Sequence, residues 1–209
     1  TKTIAKMKKI FLLMVASMLL LATVNAQDEV STTPKSFSKG DKVLNVGVGI
    51  GSTLYSGSYY TTQIPPLSAS LEVGLLDDLF EVESLNLGVG GYIGFSRSQY
   101  KYSYYDSWEG REYVWGWRYT YIIIGARGVL HYQLTEKLDT YTGLLFGPNI
   151  VTSKAFGDYN EGYTGSASSS GLAYSYFIGA RYYISDSFGL MGELGYGISY
   201  LNLGVSLKF

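Results

Sequence analysis

Apolar residues alternate with small or polar ones along most of the chain at a period of two, the repeat of a strand rather than a helix. The pattern is sharpest at the end, where Leu201, Leu203, Val205, Leu207 and Phe209 interleave with Asn202, Gly204, Ser206 and Lys208. Near the start, Leu44, Val46, Val48 and Ile50 oppose Asn45, Gly47, Gly49 and Gly51 in the same way. Read along the whole chain, the alternation predicts eight strands, at about 42–53, 66–76, 85–97, 117–132, 139–151, 171–184, 188–198 and 201–209. The fifth is the weakest. Pro148 lies inside it and cannot donate to a ladder, so a bulge or an early end is expected there.

The predicted connections alternate in length. Those after the first, third and fifth strands (54–64, 98–116 and 152–170) are long and polar, and those after the second, fourth and sixth are shorter. Only the last link, 199–200, is short where a long one is due. An even number of strands with dyad alternation, short turns at one end and long loops at the other is the layout of a transmembrane β-barrel. The expected fold is therefore all-β, an eight-stranded antiparallel up-and-down transmembrane β-barrel over 42–209. A soluble sandwich or a lipocalin-like barrel would need polar residues on the outward face of its strands. Here the continuous face is the apolar one.

Composition adds a location. Met7-Lys8-Lys9, an apolar run from Ile10 to Val24 and the small residues before Gln27 have the layout of a secretory signal peptide. Residues 1–26 are thus expected to be that signal with a few residues upstream, and 27–41 a flexible leader. Lys2, Lys6, Lys8 and Lys9 would leave with the signal, so 12 basic residues would face 17 acidic ones. That balance argues against a nucleic-acid partner. There is no cysteine, so disulfides and thiolate chemistry are excluded. Gly 26 beside Pro 4 reads as strand glycine at crowded inward positions. Gly47-Val-Gly-Ile-Gly51 lacks the spacing of a dinucleotide fingerprint, and no amphipathic helix follows it.

The signal peptide, the strand pattern and the terminal Leu203-x-Val205-x-Leu207-x-Phe209 resemble the small eight-stranded outer-membrane barrel family that includes the transmembrane domain of outer membrane protein A. The resemblance covers about 42–209, so the peptidoglycan-binding domain that some relatives append is not expected within residues 27–209. It implies a bacterial outer-membrane location in a Gram-negative cell envelope, with outer-membrane lipid as surroundings. It also implies that Leu203, Val205, Leu207 and Phe209 form the signal read by the barrel-assembly machinery during biogenesis.

An eight-stranded barrel is just wide enough for side chains to fill it. The alternation places Glu72, Arg127, Arg181 and Glu193 on the inner face, where two acids and two bases are expected to pair as a plug. Some small barrels of the outer membrane are lipid A acylases or deacylases that use a histidine. The single histidine, His131, lies at the short-turn end of its strand, away from the outer leaflet, and is read as an interfacial or hydrogen-bonded residue. No acid cluster has metal-ligand spacing and no G-x-S-x-G occurs. The expectation is a non-enzyme with no cofactor and no metal, having a structural or surface-interaction role. The alternative is a narrow porin-like channel or transporter for small solutes. Tyr119, Tyr121, Tyr174, Tyr176, Tyr196 and Tyr200 fit an aromatic girdle. The Tyr/Trp-rich stretch 98–116 is read as a loop, through which an extracellular ligand or host surface could be met.

Overall fold

The computed structural model describes residues 36–55, 57–157 and 165–209. Eight strands run in chain order: β1 (Lys42–Ile50), β2 (Tyr60–Leu76), β3 (Leu85–Asp106), β4 (Arg111–Thr135), β5 (Leu138–Gly157), β6 (Ser166–Tyr183), β7 (Phe188–Gly195) and β8 (Leu201–Lys208). A single 3-10 turn, Leu79–Glu81, lies between β2 and β3. Each strand pairs antiparallel with its neighbours, and β1 pairs with β8 to close the ring. The closing register runs from Val43 opposite Lys208 to Ile50 opposite Leu201. Lys42 and Phe209 exchange backbone hydrogen bonds of 3.1 and 2.9 Å below it.

The alternation sorts the side chains as lipid requires. Val48, Leu71, Ile93, Leu130, Leu144, Ile178, Leu190 and Leu203, one from each strand, stand exposed on the exterior. Asn45, Ser70, Glu72, Ser96, Arg127, Asp139, Arg181 and Ser206 are buried inside. A water-soluble barrel would have its apolar set within. This one presents it outward around the whole ring, so the fold is a membrane-spanning β-barrel. Leu134, Tyr132, Tyr182 and Phe209 are exposed at the short-turn end, and Tyr174, Tyr176, Tyr196 and Tyr200 lie toward the other end. Tyr119 and Tyr121 do not join that girdle. Odd residues of β4 face the axis, so Tyr121 is buried and stacks on Tyr55 and Tyr119 at centroid separations of 6.0 and 6.4 Å.

Three further expectations are corrected. The stretch 98–116 is not a loop: β3 and β4 stay in unbroken register out to Asp106 opposite Arg111, leaving a turn at 107–110. A cross-strand aromatic pair, Tyr102 against Trp115 at 5.4 Å, joins the two strands of this projecting hairpin, and Tyr60 of β2 braces it through Tyr100 at 5.4 Å. Both of its faces carry polar or aromatic residues, so it has no apolar alternation to read. Pro148 neither ends nor bulges β5, which keeps constant register with β6 to Lys154 opposite Ser166. Only the β4 side gives way, where Ile124 and Gly125 lack ladder partners on β5. The last link is longer than expected: β7 stops at Gly195, and within residues 196–200 Ile198 and Ser199 are buried over the lumen while Tyr196 and Tyr200 stay exposed.

Lipid exposure of this band makes a depth-dependent test. Ile93→Arg is expected to lower stability in phosphatidylcholine vesicles by about 2–4 kcal/mol, and Thr120→Arg by about 0–1 kcal/mol. Equilibrium denaturant unfolding checks both, and equal losses at the two sites would contradict the assigned band.

Candidate functional site

The lumen holds two stacked charge clusters. Nearest the short-turn end, β2, β4, β5 and β6 converge with Glu72, His131, Asp139 and Arg181, all at most 1% exposed. The Arg181 guanidinium donates to Glu72 Oε2 at 2.6 Å and to Asp139 Oδ2 at 3.1 Å. His131 Nδ1 lies 3.0 Å from both Asp139 oxygens, and its Nε2 faces Glu72 Oε1. An imidazole with carboxylates at both nitrogens donates to both only as the cation. In that form two acids balance two bases. Arg181 also lies 4.5 Å from the Tyr141 ring centroid, a cation–π contact in a dry setting.

One layer further along the axis, Arg127 Nη2 meets Glu193 Oε2 at 2.6 Å. The Tyr141 hydroxyl donates to that same oxygen at 3.3 Å, and Arg127 stacks 3.8 Å over Phe177. Tyr141 thus touches both clusters. Beside them Asn45, Ser70 and Ser206 form a hydrogen-bonded chain of 3.0 and 2.7 Å, and Asn202 donates to Ser68 at 2.7 Å. Glycines make the room: a Cβ at Gly88 would lie 2.6 Å from Glu72 Oε1, and one at Gly179 would lie 2.6 Å from the Tyr141 hydroxyl. The cavity left beyond Glu193, bounded by Tyr92, Ile123, Phe177 and Asn202, measures about 20 Å³. That is room for about one water, not for a solute path.

Both mouths are covered. Residues 36–41, part of the stretch expected to be a flexible leader, fold into the short-turn mouth; 27–35 lie outside the described residues. Phe37 is 1% exposed and stacks on His131 at 3.9 Å. Its carbonyl accepts from Asn86 at 2.5 Å, Ser36 N donates to Gln133 at 2.9 Å, and Lys39 N donates to Asp77 at 2.7 Å. At the other mouth Thr53 hydrogen-bonds the Gly197 carbonyl, and Leu54 packs against the core that holds Ile198.

The four lumen residues proposed from sequence thus fall into two pairs, Glu72 with Arg181 and Arg127 with Glu193. Asp139, Tyr141 and Phe37 were not among them. Asp139 could have been found from the inward parity of β5, but Thr140 and Thr142 blur its outward face. His131 and Asp139 look like half of a hydrolytic triad, yet the far nitrogen faces a carboxylate and the ring is capped by Phe37. Among the described residues no group of acids and histidines is arranged to hold a metal ion, and here Arg181 fills the space between the carboxylates. Leu203, Val205 and Leu207 face outward on β8, and Phe209 is exposed at the rim.

The closed ring and its apolar exterior define a small membrane-spanning β-barrel. No family model and no curated sequence matches the chain. In architecture it is similar to the attachment invasion locus protein Ail of Yersinia pestis, crystallised with the heparin analogue sucrose octasulfate: TM-score 0.49, 14% identity, 82% of this chain and 99% of that one. It is similar too to the outer membrane protein OprG of Pseudomonas aeruginosa, at TM-score 0.44 and 11% identity over 84% and 99% of the two chains. The N-terminal barrel domain of Pseudomonas aeruginosa OprF gives 0.41 and 12% over 81% and 96%. At such identities function rests on this chain's own residues.

Arg181 serves two acids, so its loss is expected to be severe. Arg181→Met should cost about 3–5 kcal/mol, because Glu72 and Asp139 are left buried with His131 alone. Adding Glu72→Gln should recover much of that loss in denaturant unfolding, whereas additive losses would mean the residues do not act as one network.

Proposed function

We propose that this chain is an integral β-barrel of the bacterial outer membrane with a structural or surface-contact role, and that its lumen is a plug rather than a path. The observation that carries this reading is the occupancy of the axis: two charge clusters in successive layers, a cover at each mouth, and a cavity of only about 20 Å³ beside Glu193. An interior filled by side chains is what an eight-stranded ring allows. A catalytic role is not proposed, since the one histidine is spent on holding charge. Leu203, Val205, Leu207 and Phe209 suit an assembly signal, because they line the outward side of the strand that pairs with β1 to close the ring and of the residue just after it. The projecting β3–β4 hairpin supplies an exposed surface for such contact.

Planar-bilayer recording tests the reading. The folded chain is expected to show no steady single-channel steps. Steady conductance by the unaltered chain would replace the plug with the narrow-channel alternative.

A further inference from the structure

The β3–β4 hairpin and the adjoining part of β5 have two unlike faces. The inward face is aromatic, with Tyr100 opposite Trp117, Tyr102 opposite Trp115 and Tyr104 opposite Tyr113. At the tip Tyr113 donates to the Glu109 carboxylate, and that hydrogen bond raises its phenol above the ordinary tyrosine value. The outward face, which continues the lipid-facing side of the barrel, is basic. Its last apolar rung is Phe95, Ile122 and Ile150. The next carries Arg97, the one above it Arg118 and Lys154, and the third Lys101.

Arg118 is placed against its own interest. Lys154 is its direct cross-strand partner, and Arg97 and Lys101 are its two diagonal neighbours on β3. Like charges directly opposite destabilise a sheet. Among the described residues none of the four is in an ion pair, although Arg97 Nε donates to Thr120 and Arg118 lies 5.5 Å from the Phe156 ring centroid. Among the described residues the first acid on this face, Glu112, comes two rungs above Lys101. Four cations gathered on one face of an otherwise acidic chain, immediately above the apolar band, call for anions at headgroup depth.

We propose that Arg97, Lys101, Arg118 and Lys154 bind the phosphates of an anionic glycolipid in the leaflet around the barrel. This rests on the outer-membrane reading above. The guanidinium of Arg118 can take two phosphate oxygens, while Lys101 and Lys154 act as flanking point charges. The glycolipid's acyl chains would lie along the apolar band directly below. The aromatic pairs on the inward face keep the hairpin standing, and so hold the cations at that height.

The test uses the full chain in uncharged maltoside micelles, titrated with diphosphorylated lipid A, dephosphorylated lipid A and inorganic phosphate. Diphosphorylated lipid A is expected to bind most tightly, and less so as salt rises. Binding should weaken roughly 30-fold in R118Q/K154Q, the loss expected from two headgroup-level cations. Dephosphorylated lipid A should bind both proteins equally weakly. Equal affinity of the two proteins for diphosphorylated lipid A would overturn the proposal, as would its complete displacement by millimolar phosphate, which would mean a free-anion site. Heat-modifiable gel mobility shows that the double variant is folded; if it is not, Lys101→Gln decides, with a roughly fivefold loss expected. Failure of the chain to gain protease protection in vesicles would instead sink the outer-membrane reading itself.

Discussion

Hydrocarbon offers no hydrogen bonds, and from that constraint the rest of the molecule follows. Every backbone N–H and C=O within the bilayer must be satisfied by another strand, so the sheet has to close. Closure here depends on β8 reaching β1 in the one register that keeps Leu207, Val205 and Leu203 beside Leu44, Val46 and Val48 on the outside. A slip of one residue would turn Asn202 and Ser206 into the lipid and push leucines into the lumen. The same closure fixes the diameter. With eight strands the interior is narrow, and whatever side chains point inward must settle their charges with one another.

The barrel's exterior and strand count were legible because lipid enforces a strict alternation on β1, β3, β6 and β8. Sequence reading faltered where that enforcement ends. Beyond the bilayer the β3–β4 hairpin continues as sheet, sustained by aromatic pairs rather than by burial, so no apolar stripe announced it. Tyr119 and Tyr121 sit on inward positions of β4 that resemble girdle positions by composition alone. Pro148 was read for the hydrogen bond it cannot give, yet the loss falls on one side of β5 and the other ladder carries the strand onward.

The inward face was legible as polarity but not as partnership. Parity identifies Glu72, Arg127, Arg181 and Glu193 as facing the axis; only the strand stagger around the ring tells which carboxylate each guanidinium reaches. His131 has no sequence neighbour that predicts its company, since Glu72 lies two strands away across the ring. A network of this kind is demanding: any single neutralisation strands a buried charge. Each guanidinium and each carboxylate in it has an oppositely charged partner.

The segment 36–41 has a meaning for assembly. Its hydrogen bonds go to Gly74 and Asp77 near the end of β2, to Asn86 on β3, to Gln133 on β4 and, through its Ser36 carbonyl, to Lys208 on β8. No single hairpin, and no pair of neighbouring hairpins, supplies that set. Only a finished ring does. The segment therefore stitches the first two hairpins to β8 across the closing seam, and its full set of bonds is the mark of a sealed ring.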